Sequence, residues 1–378
     1  MTNVSNPNVS AFQNIYCGKK VLITGHTGFK GTWLTAWLLK LGAEIVGFSD
    51  RIPTSPSMFE VLNLEAKIDH RIGDVRDLGA LRKLINETAP DFLFHLAAQA
   101  IVSTSYQDPV ETISTNVLGT TNVLEALRHF TGVCTAVIIT SDKCYENVEW
   151  PWGYKETDHL GGRDIYSGSK GAAEVIFHSY YWSFFRDATK TKVRIATGRA
   201  GNVIGGGDWA KDRIIADCVR SWSKGDVVEI RSPEATRPWQ HVLEPLSGYL
   251  ALGAELSKNI SLHGESFNFG PRTEQNKTVV TLLGDLRSHW NRDPTGNAYE
   301  VIDQIPFHEA GLLRLNCDKV AYFLKWEASL SYALCIEMVG KWYSAYYEGH
   351  HGDIFDITMA QINQYEISAT SRDLLWTK

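Results

Sequence analysis

Residues 19–34 read Lys19-Lys20-Val21-Leu22-Ile23-Thr24-Gly25-His26-Thr27-Gly28-Phe29-Lys30-Gly31-Thr32-Trp33-Leu34. A continuous apolar run that stops on a glycine suits a strand buried on both faces. The glycines at 25, 28 and 31 let the backbone turn tightly and approach a pyrophosphate, and a helix starting there points its unpaired N–H groups at the anion. The spacing is GxxGxxG, one residue different from the GxGxxG fingerprint. Such a turn is common on its own, but a strand before it and a helix after it make it a dinucleotide signal. The loop residues His26, Thr27, Phe29 and Lys30 join Gly25, Gly28 and Gly31 as cofactor-binding candidates.

Outward from this stretch, 33–41 shows helical apolar spacing and is closed by Gly42. Further apolar runs stand at 45–50, 68–74, 91–97, 136–142 and 193–196, with segments of helical period at 78–87, 110–130 and 166–185. This alternation predicts an α/β fold, a doubly wound parallel sheet covered on both faces. Its ligands gather beyond the carboxyl ends of the strands. Asp50 ends the second run; its carboxylate suits an adenosine ribose and repels a 2′-phosphate, favouring NAD over NADP, while neighbouring Arg51 offers the opposite choice. Asp74 closes the third run and is a candidate for the adenine end.

The domain plan follows. Residues 1–18 read as a loose Asn- and Ser-rich arm, and 19–200 as the dinucleotide-binding domain, with segments returning near 237–270. Residues 201–236 and 271–345 make a smaller, interleaved α+β substrate domain that includes a last helix at 330–347. Residues 346–378 read as a polar tail.

At 378 residues, with 44% hydrophobic and 21% charged, the chain has ordinary globular composition and length for two domains. A net charge of −6 with no block of Lys or Arg argues against sequence-independent nucleic-acid binding as the main task. A local basic pocket for a small anion stays open. No apolar stretch is long enough for a membrane helix, and residues 1–18 lack the order of a signal peptide. The six cysteines (Cys17, Cys134, Cys144, Cys218, Cys317, Cys335) show no CxxC pair and read as reduced thiols in the cytoplasm. The twelve histidines show no HExxH spacing, so no metal is expected.

Tyr166 and Lys170 are four residues apart at the start of a helical segment and share a face. A free tyrosine has a pKa of about 10, and a nearby ammonium lowers it, making a usable general base. Gly168 and Gly171 each cost that helix roughly 1 kcal/mol against alanine, so something needs close backbone approach there. Ser141-Asp142-Lys143 follows the fifth run and faces the same crevice. Ser141 suits a hydrogen bond to a substrate hydroxyl, and Asp142 a proton donor if burial raises its pKa. Lys143 is a base if neutral, a partner of Asp142, or a solvated loop lysine. Asn202, Arg213, Arg237 and His241 are polar loop candidates for a diphosphate-bearing substrate, and Trp209 and Trp239 for stacking on its sugar or base.

Taken in order, Thr24-Gly25-x-x-Gly28-x-x-Gly31, His95-Leu96-Ala97-Ala98, Asn116-Val117-x-Gly119-Thr120 and Tyr166-x-x-x-Lys170 resemble the extended short-chain dehydrogenase/reductases over about 19–345. The passages at 25–34, 140–147, 201–215 and 237–246 resemble the nucleotide-sugar 4,6-dehydratases, the CDP-glucose branch above all. The resemblance implies a Rossmann-type sheet, NAD as cofactor lined also by Val75, Leu96, Ala97, Ala98 and Gln99, and CDP-glucose as substrate. It implies C4 oxidation with Tyr166 as base, Lys170 lowering its pKa and Ser141 orienting the hydroxyl. Water is then lost across C5 and C6, and C6 is reduced, giving a 4-keto-6-deoxy sugar for polysaccharide precursors. It further implies a homodimer, or a dimer of dimers, through 110–130 and 166–185. Related dTDP-glucose enzymes carry Asp-Glu where this chain has Asp142-Lys143, which leaves the C5 base open. His26 and Lys30 alter the loop and so the hold on NAD. The alternatives are a nucleotide-sugar epimerase of the same fold and a non-catalytic NAD-binding regulator.

Overall fold

Alternate residues of the first strand, β1 (Lys20–Thr24), point to opposite faces: Val21 and Ile23 enter one apolar core, and Leu22 enters another. A strand buried on both sides needs layers on both sides, and the chain supplies them. This is a computed structural model that describes residues 11–272, 275–290, 298–302, 312–350 and 353–378. The other central strands are β2 (Glu44–Ser49), β3 (Asp69–Ile72), β4 (Phe92–His95), β5 (Cys134–Ile139), β6 (Val193–Ala200) and β7 (Ser266–Phe269). All seven pair in parallel in the order β7-β6-β5-β4-β1-β2-β3.

On one face lie α2 (Leu78–Thr88), α3 (Gly119–Arg128) and α4 (Ile165–Tyr180), which bury Leu81, Leu84, Val123, Leu127 and Phe177. On the other face lie α1 (Phe29–Lys40) and α6 (Leu243–Leu256), which bury Trp33, Trp37, Leu246 and Leu250; α5 (Ile214–Trp222) precedes α6 in the chain. The chain moves outward from β1 through β2 to β3, then returns to β4 on the other side of β1. That reversal opens a crevice above the carboxyl ends of β1 and β4.

Beyond residue 200 the described residues form three short ribbons: Val203–Ile204 with Gln240–His241, Val228–Ile230 with Tyr299–Val301, and Thr236–Pro238 with Asn276–Thr278. Because α6 and β7 return to the sheet, the apolar core on that face continues into these segments.

The ends of the chain differ from the sequence reading. Where a polar tail was expected, α7 (Tyr332–Tyr347) is followed by a further helix, α8 (Ile354–Thr370), that buries Ile354, Ile362, Tyr365 and Ala369. These residues recur at helical spacing, the signal that the reading as a polar tail passed over. Trp37 Nε1 and Lys40 Nζ both reach the Glu366 carboxylate, at 2.8 and 2.6 Å. Trp376 stacks on Phe12 with ring centroids 5.0 Å apart. Residues 11–18 of the expected loose arm are therefore packed, with Phe12 and Tyr16 in the core and Tyr16 Oη donating to the Leu250 carbonyl at 2.6 Å. The remainder of that arm, 1–10, lies outside the described residues. Among the described residues no helix is long and apolar enough to cross a membrane, and no three His, Cys, Asp or Glu side chains are grouped to hold a metal.

Candidate active site

A cleft of about 1310 Å³ runs over the carboxyl ends of the strands and takes in nearly every sequence candidate. At its floor the chain leaves β1 into the glycine loop. Gly25 has φ +77°, and a Cβ there would stand 2.6 Å from the Ala97 nitrogen; one on Gly31 would stand 2.1 Å from the Gly25 carbonyl oxygen. Only glycine fits either place. Gly28 is the N-cap of α1 without any side-chain cap, so the first turn of that helix keeps unpaired N–H groups directed at the cleft. Thr27, Phe29 and Lys30 also line it.

His26 does not. Its ring is fully buried beneath the loop, with Nδ1 2.9 Å from Ser49 Oγ and Nε2 2.7 Å from His70 Nδ1. It occupies the space left by Gly47 on β2, where a Cβ would come within 2.4 Å of it. Burial, with His70 beside it, lowers its pKa to about 3, so the ring is neutral. The expected cofactor contact is replaced by a prop under the loop.

Asp50 and Arg51 pair with each other at 3.5 Å at the cleft edge. Asp74 is gripped by Arg76, whose Nε lies 3.0 and 2.8 Å from its two oxygens, and that guanidinium holds the carboxyl pKa down. Arg76 also bonds Glu111. Val75 is buried against Gly119. Leu96, Ala97, Ala98 and Gln99 line the far wall. Asn116 braces that wall: it exchanges hydrogen bonds with the backbone of Gln99 and donates to Ser169 Oγ on α4 at 2.9 Å.

Tyr166 and Lys170 open α4, whose N-cap is Asp164, accepting from the Ser167 amide at 2.9 Å. Ser141, Asp142 and Lys143 form the turn after β5 and share the cleft with them. Ser141 Oγ donates to Asp142 Oδ1 at 2.9 Å and accepts the Lys143 amide at 3.2 Å. Burial pushes the Tyr166 phenol up to about 12, while Arg213 and a hydrogen bond with Ser141 pull it down. Arg213, rather than the expected Lys170, is the foremost cation acting on Tyr166. Burial lowers Lys170 to about 8, and lowers Lys30, which feels Arg213, Asp142 and Lys170, to about 8.

Of the two glycines in α4, Gly171 meets the expectation of close approach: a Cβ there would be 3.0 Å from the Gly161 nitrogen and 3.1 Å from the Cys144 carbonyl oxygen. The partner is the Ser141–Cys144 turn and its neighbour strand segment. Gly168 faces open space.

On the substrate side, Asn202, Arg213 and Arg237 line the cleft. Arg213 precedes α5 and reaches the Ala100 carbonyl at 3.5 Å; Arg237 donates to the Thr236 carbonyl at 2.9 Å. Trp239 borders the cleft while its Nε1 donates to the Lys277 carbonyl at 3.0 Å. Trp209 reaches the cleft wall, but its ring packs among Trp342, Tyr343 and Tyr346, so most of its surface belongs to the core. His241 is a correction: it is fully buried behind the cleft, edge-on to Trp33 at 5.6 Å, and burial lowers it to about 3. In its ribbon it pairs with Ile204. The sequence reading gave no role to Asn116, Thr140, Glu174 or Arg199. Asn116 stood in one of the motifs that carry the resemblance, and Glu174 lies one turn beyond Lys170 on the same helical face.

A glycine cradle at the reversal of strand order, with Ser, Tyr and Lys gathered at the ends of β5 and α4, defines a short-chain dehydrogenase/reductase. Residues 22–339 match the family described as GDP-mannose 4,6 dehydratase, and the chain belongs to that family, within the extended branch of the class. The CDP-glucose 4,6-dehydratase of Salmonella typhimurium is 43% identical over 95% of this chain and 99% of its own. The CDP-paratose 2-epimerase of Salmonella typhi is 26% identical over 72% of this chain and 85% of its own. The structure of dTDP-glucose 4,6-dehydratase from Streptomyces venezuelae, with NAD and TYD bound, superposes with a TM-score of 0.73 at 21% identity, covering 86% of this chain and 96% of that one.

Proposed function

We propose that this protein is a hydro-lyase that converts CDP-glucose to CDP-4-keto-6-deoxyglucose, with NAD in the glycine cradle. The observation that carries the reading is the convergence of the Ser141-Asp142-Lys143 turn and the Tyr166–Lys170 pair in one cleft, beside near full-length similarity to a protein of that activity. An epimerase of this fold needs only the serine, tyrosine and lysine; the adjoining acid and lysine suit an elimination.

The uncapped start of α1 and the collisions that any Cβ at Gly25 or Gly31 would cause fit a dinucleotide pyrophosphate. Gly25, Thr27, Gly28, Phe29, Lys30 and Gly31 would hold it, with Asp50, Arg51, Asp74 and Val75 available to its adenosine part and Leu96 to Gln99 on the far wall. When bound it supplies a reversible two-electron acceptor. The chain's residues do the rest. Arg213 and Arg237 bind the substrate diphosphate, with Asn202 and Trp239 beside them. Tyr166 takes the proton of the sugar 4-hydroxyl, and Ser141 aligns that hydroxyl. Lys170 fixes the orientation of the reacting groups with its ammonium. The 4-ketone acidifies the C5–H bond, and Lys143, in its neutral form, takes that proton. As the C6–O bond breaks, Asp142 gives its proton to the departing oxygen and water leaves; the two electrons taken at C4 return to C6 while Lys143 gives its proton back at C5, which completes the 4-keto-6-deoxy sugar.

Mass spectrometry of CDP-, dTDP-, UDP- and GDP-hexoses, each with and without added NAD, tests the reading. Loss of one water from CDP-glucose supports it; an isomer of unchanged mass, or no change, refutes it. Two finer proposals accompany it. Val110 (74% exposed), Ile113, Leu118 and Val175 make an apolar face on 109–128 and α4 that suits a second copy of the chain. Six free thiols suit a reducing compartment, the cytoplasm.

A further inference from the structure

One buried ion pair touches both ends of the turn that carries Ser141, Asp142 and Lys143. Glu174 and Arg199 are fully buried; Arg199 Nη2 lies 2.8 Å from Glu174 Oε2, and Arg199 Nε lies 2.9 Å from Oε1. Before the turn, Thr140 Oγ1 donates to Glu174 Oε1 at 2.5 Å. After it, Arg199 Nη1 donates to the Tyr145 hydroxyl at 2.7 Å, and that hydroxyl donates to Asn268 Oδ1 at 2.8 Å. The three side chains assigned above to hydroxyl alignment and elimination lie between these anchors.

The pair also belongs to the other half of the site. Glu174 stands one turn beyond Lys170 and two beyond Tyr166, on the same face of α4. Thr197 and Ser266 hydroxyls complete its hydrogen bonding, at 3.1 and 3.2 Å. Burial favours the protonated acid, yet Arg199 and the Thr140 hydroxyl outweigh it and hold the carboxyl at about 2, so the contacts are those of a full charge. Gly171 allows the helix to close on the turn.

A buried ion pair is a poor source of stability, because apolar replacements of similar volume are often neutral or better. Geometry is what this one supplies. We propose that Glu174 and Arg199, acting through Thr140 and Tyr145, are positioning residues that clamp both ends of the 140–145 turn against the face of α4 bearing Tyr166 and Lys170. The identity of the reacting groups rests on the dehydratase reading; the clamp itself does not.

The test removes one anchor at a time and keeps the ion pair. Thr140→Val deletes a hydroxyl at constant size, and Tyr145→Phe leaves Arg199 Nη1 its second acceptor, the Glu156 carbonyl at 3.2 Å. Each is expected to lower kcat for CDP-glucose by roughly 10- to 100-fold with KM within about threefold, as a misplacement approaching about 1 Å does. Thr140→Ser is expected to restore kcat. Hydrogen exchange read by mass spectrometry is expected to quicken in peptides covering 140–146 and to stay unchanged over 166–176. A Thr140→Val protein with parental kcat overturns the proposal, as does a loss that Thr140→Ser fails to restore. If the parent dehydrates no nucleotide sugar, the functional reading fails and exchange alone decides: faster exchange at 140–146 supports the clamp, and unchanged exchange overturns it.

Discussion

Lys170→Met separates what the site does for chemistry from what it costs the fold. Lys170 is 6% exposed, and burial lowers its pKa from 10.5 to about 8, with Cys144 and Glu174 pulling it back up. Each unit of difference between folded and unfolded states is worth about 1.4 kcal/mol. The buried ammonium therefore destabilises the protein by about 3 kcal/mol at neutral pH. The folded state binds this proton more weakly than the unfolded state, so stability is highest above pH 10.5, falls as the pH drops, and has lost the whole amount below about 8. Methionine has similar length and no charge. The variant is expected to exceed the parent by about 3 kcal/mol at pH 7, with the gap closing toward pH 10.5. Urea unfolding followed by tryptophan fluorescence at several pH values measures the gap, and other titrating groups cancel in the difference. Turnover is expected to fall roughly 100-fold or more. A gap that does not change with pH, or a variant less stable than the parent at pH 7, refutes the reasoning.

Tyr166→Phe is expected to cut turnover of CDP-glucose by about 1000-fold and to leave NAD affinity within about threefold, since the ring still fills its place; calorimetric titration with NAD checks the second part. His26→Ala is expected to cost about 2 kcal/mol through a cavity and an unpaired His70. Because the ring lies beneath the loop and not in the cleft, kcat at saturating NAD should stay within about twofold, and loss of turnover without loss of stability would contradict that placement. Val110→Asp places a charge on the exposed apolar face of 109–128 and is expected to yield monomers in light scattering.

The parts of the fold that were legible are those fixed by neighbours in the chain. The run from Lys20 to Lys40 announces strand, glycine turn and helix because each signal is local and the three agree. The side-chain directions were not legible. Whether His26 faces the cleft or the sheet depends on Gly47, which belongs to the next strand and leaves the space the ring takes. His241 is drawn inward by the ribbon it forms with 203–204 and by Trp33, neither near it in sequence. The last helix was hidden because its buried residues meet distant parts of the chain: Tyr365 packs edge-on to Trp37 of α1, and beyond the helix Trp376 stacks on Phe12. Glu174 reads as one polar residue on a helix until Thr140, Arg199 and Ser266 are seen around it.

The charge of the chain makes the same point about function. A net charge of −6 describes the surface and says little about the cleft. Lys30, Lys143, Lys170, Arg213 and Arg237 all line it, and two of these, Lys30 and Lys170, have ammonium groups destabilised by burial, with Arg213 adding to the penalty on Lys30. Cations are not gathered in a poorly solvated place to stabilise a fold, since each raises the cost of the next. What relieves them is a ligand with several negative charges, and two diphosphates, one from a dinucleotide and one from a nucleotide sugar, are ligands of that kind. Of the carboxylates near them, Asp74 is held by Arg76, and Glu174, which offsets part of the burial of Lys170, is held by Arg199. Asp142 stays close to the cationic group, with one oxygen accepting a hydrogen bond from Ser141. Under the proposed elimination, the hydrogen-bonded Ser141–Asp142 pair is what meets the sugar once the diphosphates have answered the cations.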